Sequence, residues 1–214
     1  PEASPIEPHW KPICFAKDDR TLYVLSFLEH DKGAIRTYDP ETKTMGPVIF
    51  TDPQFEPGDR LATYRSGGLG SRKAFGGLEF DAAGELTGVD YLAEKPTTRW
   101  IEPRAAQLAR DLDAALPGTA NHVVSETNDG KLKVVLAASD RDPGSYFLYD
   151  AGKSELSPLG AARPEIEPAE MAAMRAISFA ARDGTPIPGY LTLPRGRAEK
   201  NLPMIVVQHG GPLR

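Results

Sequence analysis

A single cysteine, Cys14, stands in 214 residues. One thiol excludes an intrachain disulfide and a multi-cysteine zinc site. Long apolar runs are missing as well. The longest, Val134–Ala138, falls far short of the ~18 residues that a membrane-spanning helix needs. No block of Lys or Arg occurs, and 25 basic against 30 acidic residues give a net charge of −5. That balance argues against nucleic acid or an anionic membrane as the main partner. What is present is the composition of a globular chain, 40% hydrophobic and 26% charged, outside the range of disordered sequences. A soluble protein of the cytoplasm or periplasm fits, and nothing in the sequence chooses between the two. The 20 glycines and 20 prolines are an excess that points to many turns joining short elements.

An internal repeat organises the first three quarters. Shifted by 111 positions, Asp18 falls on Asp129, Val24 on Val135, Leu25 on Leu136, Gly33 on Gly144, Tyr38 on Tyr149 and Asp39 on Asp150. The matches alternate between turn residues and apolar runs. Leu22–Phe27 and Leu132–Ala137 read as strands, as do Ile35–Tyr38 and Tyr146–Tyr149, so each unit is a β-meander. A third unit, Phe55–Trp100, lies between them, with strand candidates at Arg60–Tyr64, Ala74–Phe80 and Leu86–Leu92 around a turn at Asp81–Gly84. Units of ~45 residues have the period of propeller blades. The surplus belongs to Glu102–Leu116, where Ala105, Leu108, Ala109, Leu112 and Leu116 share one helical face. Pro103 suits the first turn of that helix and Pro117-Gly118 stops it.

The character changes after Leu159. Arg163–Pro168 is a proline-punctuated linker, and Pro168–Arg175 has room for two helical turns. Ala176–Ala181 and Ile187–Leu193 read as a hairpin around Arg182-Asp183-Gly184. Pro203–Gln208 is apolar and β-branched, the pattern of a strand buried on both faces. The expected division is therefore 1–162, a partial propeller, and 163–214, a linker with the first strands of a second domain. The chain begins at Pro1 and stops just after His209-Gly210-Gly211-Pro212, so it reads as a piece of something longer. Three blades fall short of the usual minimum of four. Open strand edges predict that the isolated piece self-associates.

His209-Gly210-Gly211-Pro212 carries the clearest chemistry. In α/β-hydrolases a Gly-rich loop follows the third strand, so that a backbone N–H faces the developing oxyanion with no side chain in the way. The order of a meander region, a linker, an Asp183-Gly184 hairpin and then this loop resembles the start of the catalytic domain in the prolyl oligopeptidase family of serine peptidases. The residues that carry the resemblance are Ile177–Gly184, Pro188–Pro194 and Asn201–Pro212; Ser139–Asp150 and the Trp100–Asn121 insert add to it. The nearest branch is the acylaminoacyl-peptidase and dipeptidyl-peptidase-like bacterial enzymes. The resemblance implies a β-propeller that restricts access, an α/β-hydrolase domain with a Ser-Asp-His triad, and peptide or acyl-peptide substrates. It makes Gly211 a donor of one oxyanion-hole N–H, with His209 and Gly210 in the same loop.

The departure is as clear as the resemblance. No G-x-S-x-G occurs, and neither Ser71 nor Ser145 has glycines at that spacing. Nucleophile, acid and base are all expected beyond Arg214, and the chain alone is expected to be inactive. A propeller-type binding module without catalysis and an esterase or lipase remain alternatives. No cofactor or metal is expected. His9, His30 and His122 have no metal spacing, and Asp140, Asp142 and Asp150 read as turn-capping residues rather than calcium ligands. Gly67–Lys73 lacks the G-K-[ST] ending of a phosphate loop. Cys14 reads as a buried structural thiol.

Overall fold

A computed structural model describes residues 10–29, 32–57, 74–75, 77–93 and 95–207. These fall into two compact units, one holding residues 1–139 and 143–166, the other 140–142 and 167–214.

The first unit is three four-stranded antiparallel sheets. β1 (Trp10–Phe15), β2 (Leu22–Ser26), β3 (Ala34–Asp39) and β4 (Thr44–Thr51) pair in chain order. So do β5 (Ala74–Phe75), β6 (Leu78–Phe80), β7 (Leu86–Leu92) and β8 (Pro96–Trp100), and then β9 (Ala120–Glu126), β10 (Leu132–Ala138), β11 (Ser145–Asp150) and β12 (Glu155–Ala161). Successive four-stranded meanders are propeller blades. The repeated segments prove to be the second and third strands of the first and third blades. Their register is the same: Leu22 pairs Tyr38 and Val24 pairs Arg36, while Lys133 pairs Tyr149 and Val135 pairs Phe147.

Turn chemistry repeats with it. Asp19 and Gly130, 111 positions apart, both take positive φ, 54° and 68°; Lys43 and Ser154 do so at 56° and 57°. The Asp18 carboxylate accepts from the N–H groups of Arg20 and Thr21, and that of Asp129 from Lys131 N–H and the Thr127 hydroxyl. Val24 and Val135 are both fully buried.

Ala74–Phe80, expected as one strand, is two. Ala74 pairs Glu79 and Phe75 pairs Leu78, and Gly77, just before Leu78, takes φ 80°. Glycine adopts that positive φ without steric cost. Arg60–Tyr64 lies outside the described residues. The first two blades share a core of Ile35, Phe50, Leu78 and Val89, against which Cys14, Tyr23 and Tyr91 pack. The helix α1 (Pro103–Ala115) follows the second blade. Glu102 caps it, its carboxylate accepting from Ala105 N–H at 2.7 Å, and Leu112 is its buried residue. No helix among the described residues is long and apolar enough to cross a membrane.

The second unit is a hairpin, β13 (Met174–Ala180) with β14 (Pro186–Thr192), preceded by one 3-10 turn at Pro168–Glu170 instead of two α-helical turns. The proline-started segment closes with Met171 N–H donating to Pro168 O and goes no further. Asp140, from the loop after β10, accepts from Met174 N–H at 2.6 Å and so fixes the start of β13. Pro203–Val207 forms no strand. Met204, Ile205, Val206 and Val207 are 81%, 90%, 74% and 89% exposed. A strand needs a ladder partner, and the only sheet in this unit among the described residues is the two-stranded hairpin.

Candidate functional site

His209, Gly210 and Gly211 lie outside the described residues, so the structure places only what leads to them. The β13–β14 turn is held by Asp183, whose carboxylate accepts from Thr185 N–H at 3.0 Å. That bond keeps its pKa below the ordinary carboxylate value. Gly184 takes φ 84°, the left-handed conformation that the tight turn requires. The Asp183-Gly184 pair is therefore a turn device and carries no chemistry of its own. Of the other residues weighed in the sequence, Ser71, His9 and His30 also lie outside the described residues. Ser145 opens β11 and Cys14 packs on the core of the first two blades, where burial pushes its thiol pKa up. Among the described residues no group of three His, Cys, Asp or Glu side chains could hold a metal ion.

The first unit holds one feature that no motif announces. A cavity of about 550 Å³ opens between the second blade, α1 and the third blade. One wall is the apolar face of α1, with Ala105, Leu108 and Leu112, next to Trp100 at the end of β8. The lining also takes in a cross-strand row of Glu126, Lys133 and Tyr149 on the third blade. Glu126 and Lys133 form an ion pair with side chains only 6% and 16% exposed. His122, Arg104 and the carboxylates of Glu79, Asp81, Glu85 and Glu102 belong to the lining too, so acidic groups outnumber basic ones there. The helical face was legible in the sequence. The ion pair was not, because its partners stand in strands whose register had to be known first.

Three four-stranded meanders define the fold as propeller-type, and the comparisons show what the chain is similar to. Dipeptidyl aminopeptidase BIII of Pseudoxanthomonas mexicana is 30% identical over 202 residues, which is 91% of this chain and 27% of that protein. The chain is thus similar to a dipeptidyl aminopeptidase, and it spans about a quarter of the length of that relative. No established family profile matches the chain. Among solved structures, a prolyl endopeptidase aligns at 15% identity with a TM-score of 0.45, over 87% of this chain and 24% of its own. Prolyl oligopeptidase B from Galerina marginata aligns at 10% identity with a TM-score of 0.31, over 91% and 33%. Scores this low leave the fold assignment to the strand pairing itself.

Proposed function

We propose that this chain is part of a serine peptidase that hydrolyses peptide or acyl-peptide bonds by acyl transfer. The observation that carries the reading is the 30% identity to a dipeptidyl aminopeptidase across nearly the whole chain. In this reading the blades limit access of substrate, and the second unit is the start of an α/β-hydrolase domain. The exposed run Met204–Val207 is then a strand that further strands of that domain cover in the longer protein. Four adjacent apolar side chains left in water are otherwise unfavourable.

The chemical contribution of this chain is the loop His209-Gly210-Gly211. A serine hydroxyl, relieved of its proton by a histidine, attacks the substrate carbonyl, and the carbonyl oxygen takes the negative charge. The Gly211 N–H donates to that oxygen, beside a second N–H from the residue after the nucleophile. Collapse of the intermediate expels the amine, which receives the proton from the histidine, and water then releases the acyl group. Nucleophile, acid and base come from outside these 214 residues, so the chain alone has no turnover.

Gly211→Val in the longer protein tests the role of the loop. Removing one oxyanion donor costs roughly 10²–10³ in kcat. KM should change little, because the contact forms mainly in the transition state. The melting temperature of the variant separates this from a merely conformational role. A folded variant with parental kcat excludes Gly211 as the donor.

A further inference from the structure

The cavity of about 550 Å³ beside α1 joins an apolar wall to an excess of negative charge. Its carboxylates are those of Glu79, Asp81, Glu85, Glu102 and Glu126, against the cations of Arg104 and Lys133. Two of these charges are neutralised locally. Glu126 takes Lys133, and Glu85 pairs with Lys17 at 3.0 Å. Asp81 and Glu102 stand in no ion pair among the described residues. Each accepts one backbone N–H, Asp81 Oδ1 from Glu85 at 2.9 Å and Glu102 Oε2 from Ala105 at 2.7 Å. Such a bond leaves the charge in place and the second oxygen able to accept. The backbone gathers this acidic side at Thr87. Its carbonyl accepts from the N–H groups of Ile101 and Glu102 at 2.8 and 3.1 Å, and its hydroxyl donates to Glu79 O at 3.1 Å. Arg104 is exposed to water, so negative charge still exceeds positive once the paired groups are set aside.

Cavities of this size with apolar walls and a few polar groups take small organic ligands. The walls set the body of the ligand: Trp100, Ala105, Leu108 and Leu112 suit an apolar one. The net charge sets its sign. A cleft focuses a field of one sign, which draws a cation in and keeps an anion out. An ammonium group is also favourable against an indole face. We propose that this cavity binds a small organic cation with an apolar body, the chemistry of an arylalkylamine. Its ammonium group goes to the side of Asp81 and Glu102, and its ring lies against the apolar face of α1. Glu126 and Lys133 satisfy each other and take no part. The inference does not rest on the peptidase reading.

The cavity has its own reporter. The chain holds two tryptophans, and only Trp100 lines the cavity, so in a Trp10→Phe background the emission comes from the site. Phenethylamine should change that emission saturably. Phenethyl alcohol, the same body without the charge, should bind about ten-fold more weakly, and hydrocinnamate, with the opposite charge, more weakly still. Salt screens the field, so sodium chloride should weaken the binding of phenethylamine and leave that of phenethyl alcohol unchanged. The double variant Asp81→Asn/Glu102→Gln keeps an acceptor for the Glu85 and Ala105 N–H groups and removes both charges. It should melt near the parent temperature and bind phenethylamine no better than the alcohol. Absence of saturable binding overturns the proposal. Hydrocinnamate binding as tightly as phenethylamine does so too, as does parental affinity in the folded double variant. Equilibrium dialysis of the parent chain against the three ligands, at low and high salt, needs no variant, so it decides the matter even where the double variant fails to fold.

Discussion

Asp39 and Asp150 build the same turn twice. Asp39 Oδ1 accepts from the N–H groups of Glu41 and Thr42, at 2.9 and 3.1 Å, and Asp150 Oδ1 from those of Gly152 and Lys153, at 2.9 and 3.2 Å. The next residue in each case, Lys43 or Ser154, takes the left-handed conformation without being glycine. The two side chains that cap these turns fix where the third strand of a blade ends and the fourth begins. Recurrence of a backbone solution at one offset, with the same pairing register on either side, marks the two meanders as one unit used twice.

The turn aspartates make the first unit sensitive to acid. Hydrogen bonds from the Thr127 hydroxyl and Lys131 N–H hold the Asp129 carboxyl at about 2, below its ordinary 3.8. Asp18 is lowered too, by Thr21 and Arg20. A depressed folded pKa means stability that is present above the unfolded value and lost as pH falls through the folded one. The contribution of Asp129 is thus expected to fade between about pH 4 and pH 2. Urea midpoints across this range should fall more steeply for the parent than for Asp129→Asn; parallel curves contradict the assignment.

Gly144 takes φ 131°, and a Cβ there would come within 2.6 Å of Leu136 Cδ1. The Leu136 terminus can move, so the backbone conformation sets most of the cost. Gly144→Ala should destabilise the chain by about 1–3 kcal/mol, read as a lower urea midpoint with an unchanged slope.

Leu78 is fully buried in the core that the first two blades share. Leu78→Ala should cost about 2–5 kcal/mol. A loss under 1 kcal/mol would mean that the blades do not depend on this contact.

Cys14 packs on the same core, and burial raises its pKa. Its thiolate fraction near neutral pH is therefore small. Ellman's reagent should react slowly with the native chain at pH 8 and rapidly in urea. Equal rates would show an open thiol.

Legibility in the sequence followed position in the sheet. The central strands β2, β3, β7, β10 and β11 carry strong apolar signals and were read close to their bounds. The unread strands are edges. β4, β8 and β12 contain Pro47, Pro96 and Pro158. Proline is tolerated at edges and bulges because no ladder hydrogen bond is lost there, and it hides the strand from a propensity reading. The helix was legible because its period and both ends agree. The cavity was not, since it depends on which strands lie side by side. Pro203–Val207 shows the opposite failure: strand-forming residues without a neighbour form no strand.

Active-site labelling tests the peptidase reading most directly. The 214-residue chain and the longer protein to which it belongs would each be treated with a fluorophosphonate probe, and the labelled peptide mapped by mass spectrometry. The expected result is no label on the chain and one labelled serine per molecule of the longer protein, located outside residues 1–214. Label on a serine within those residues, or none on the folded longer protein, would contradict it.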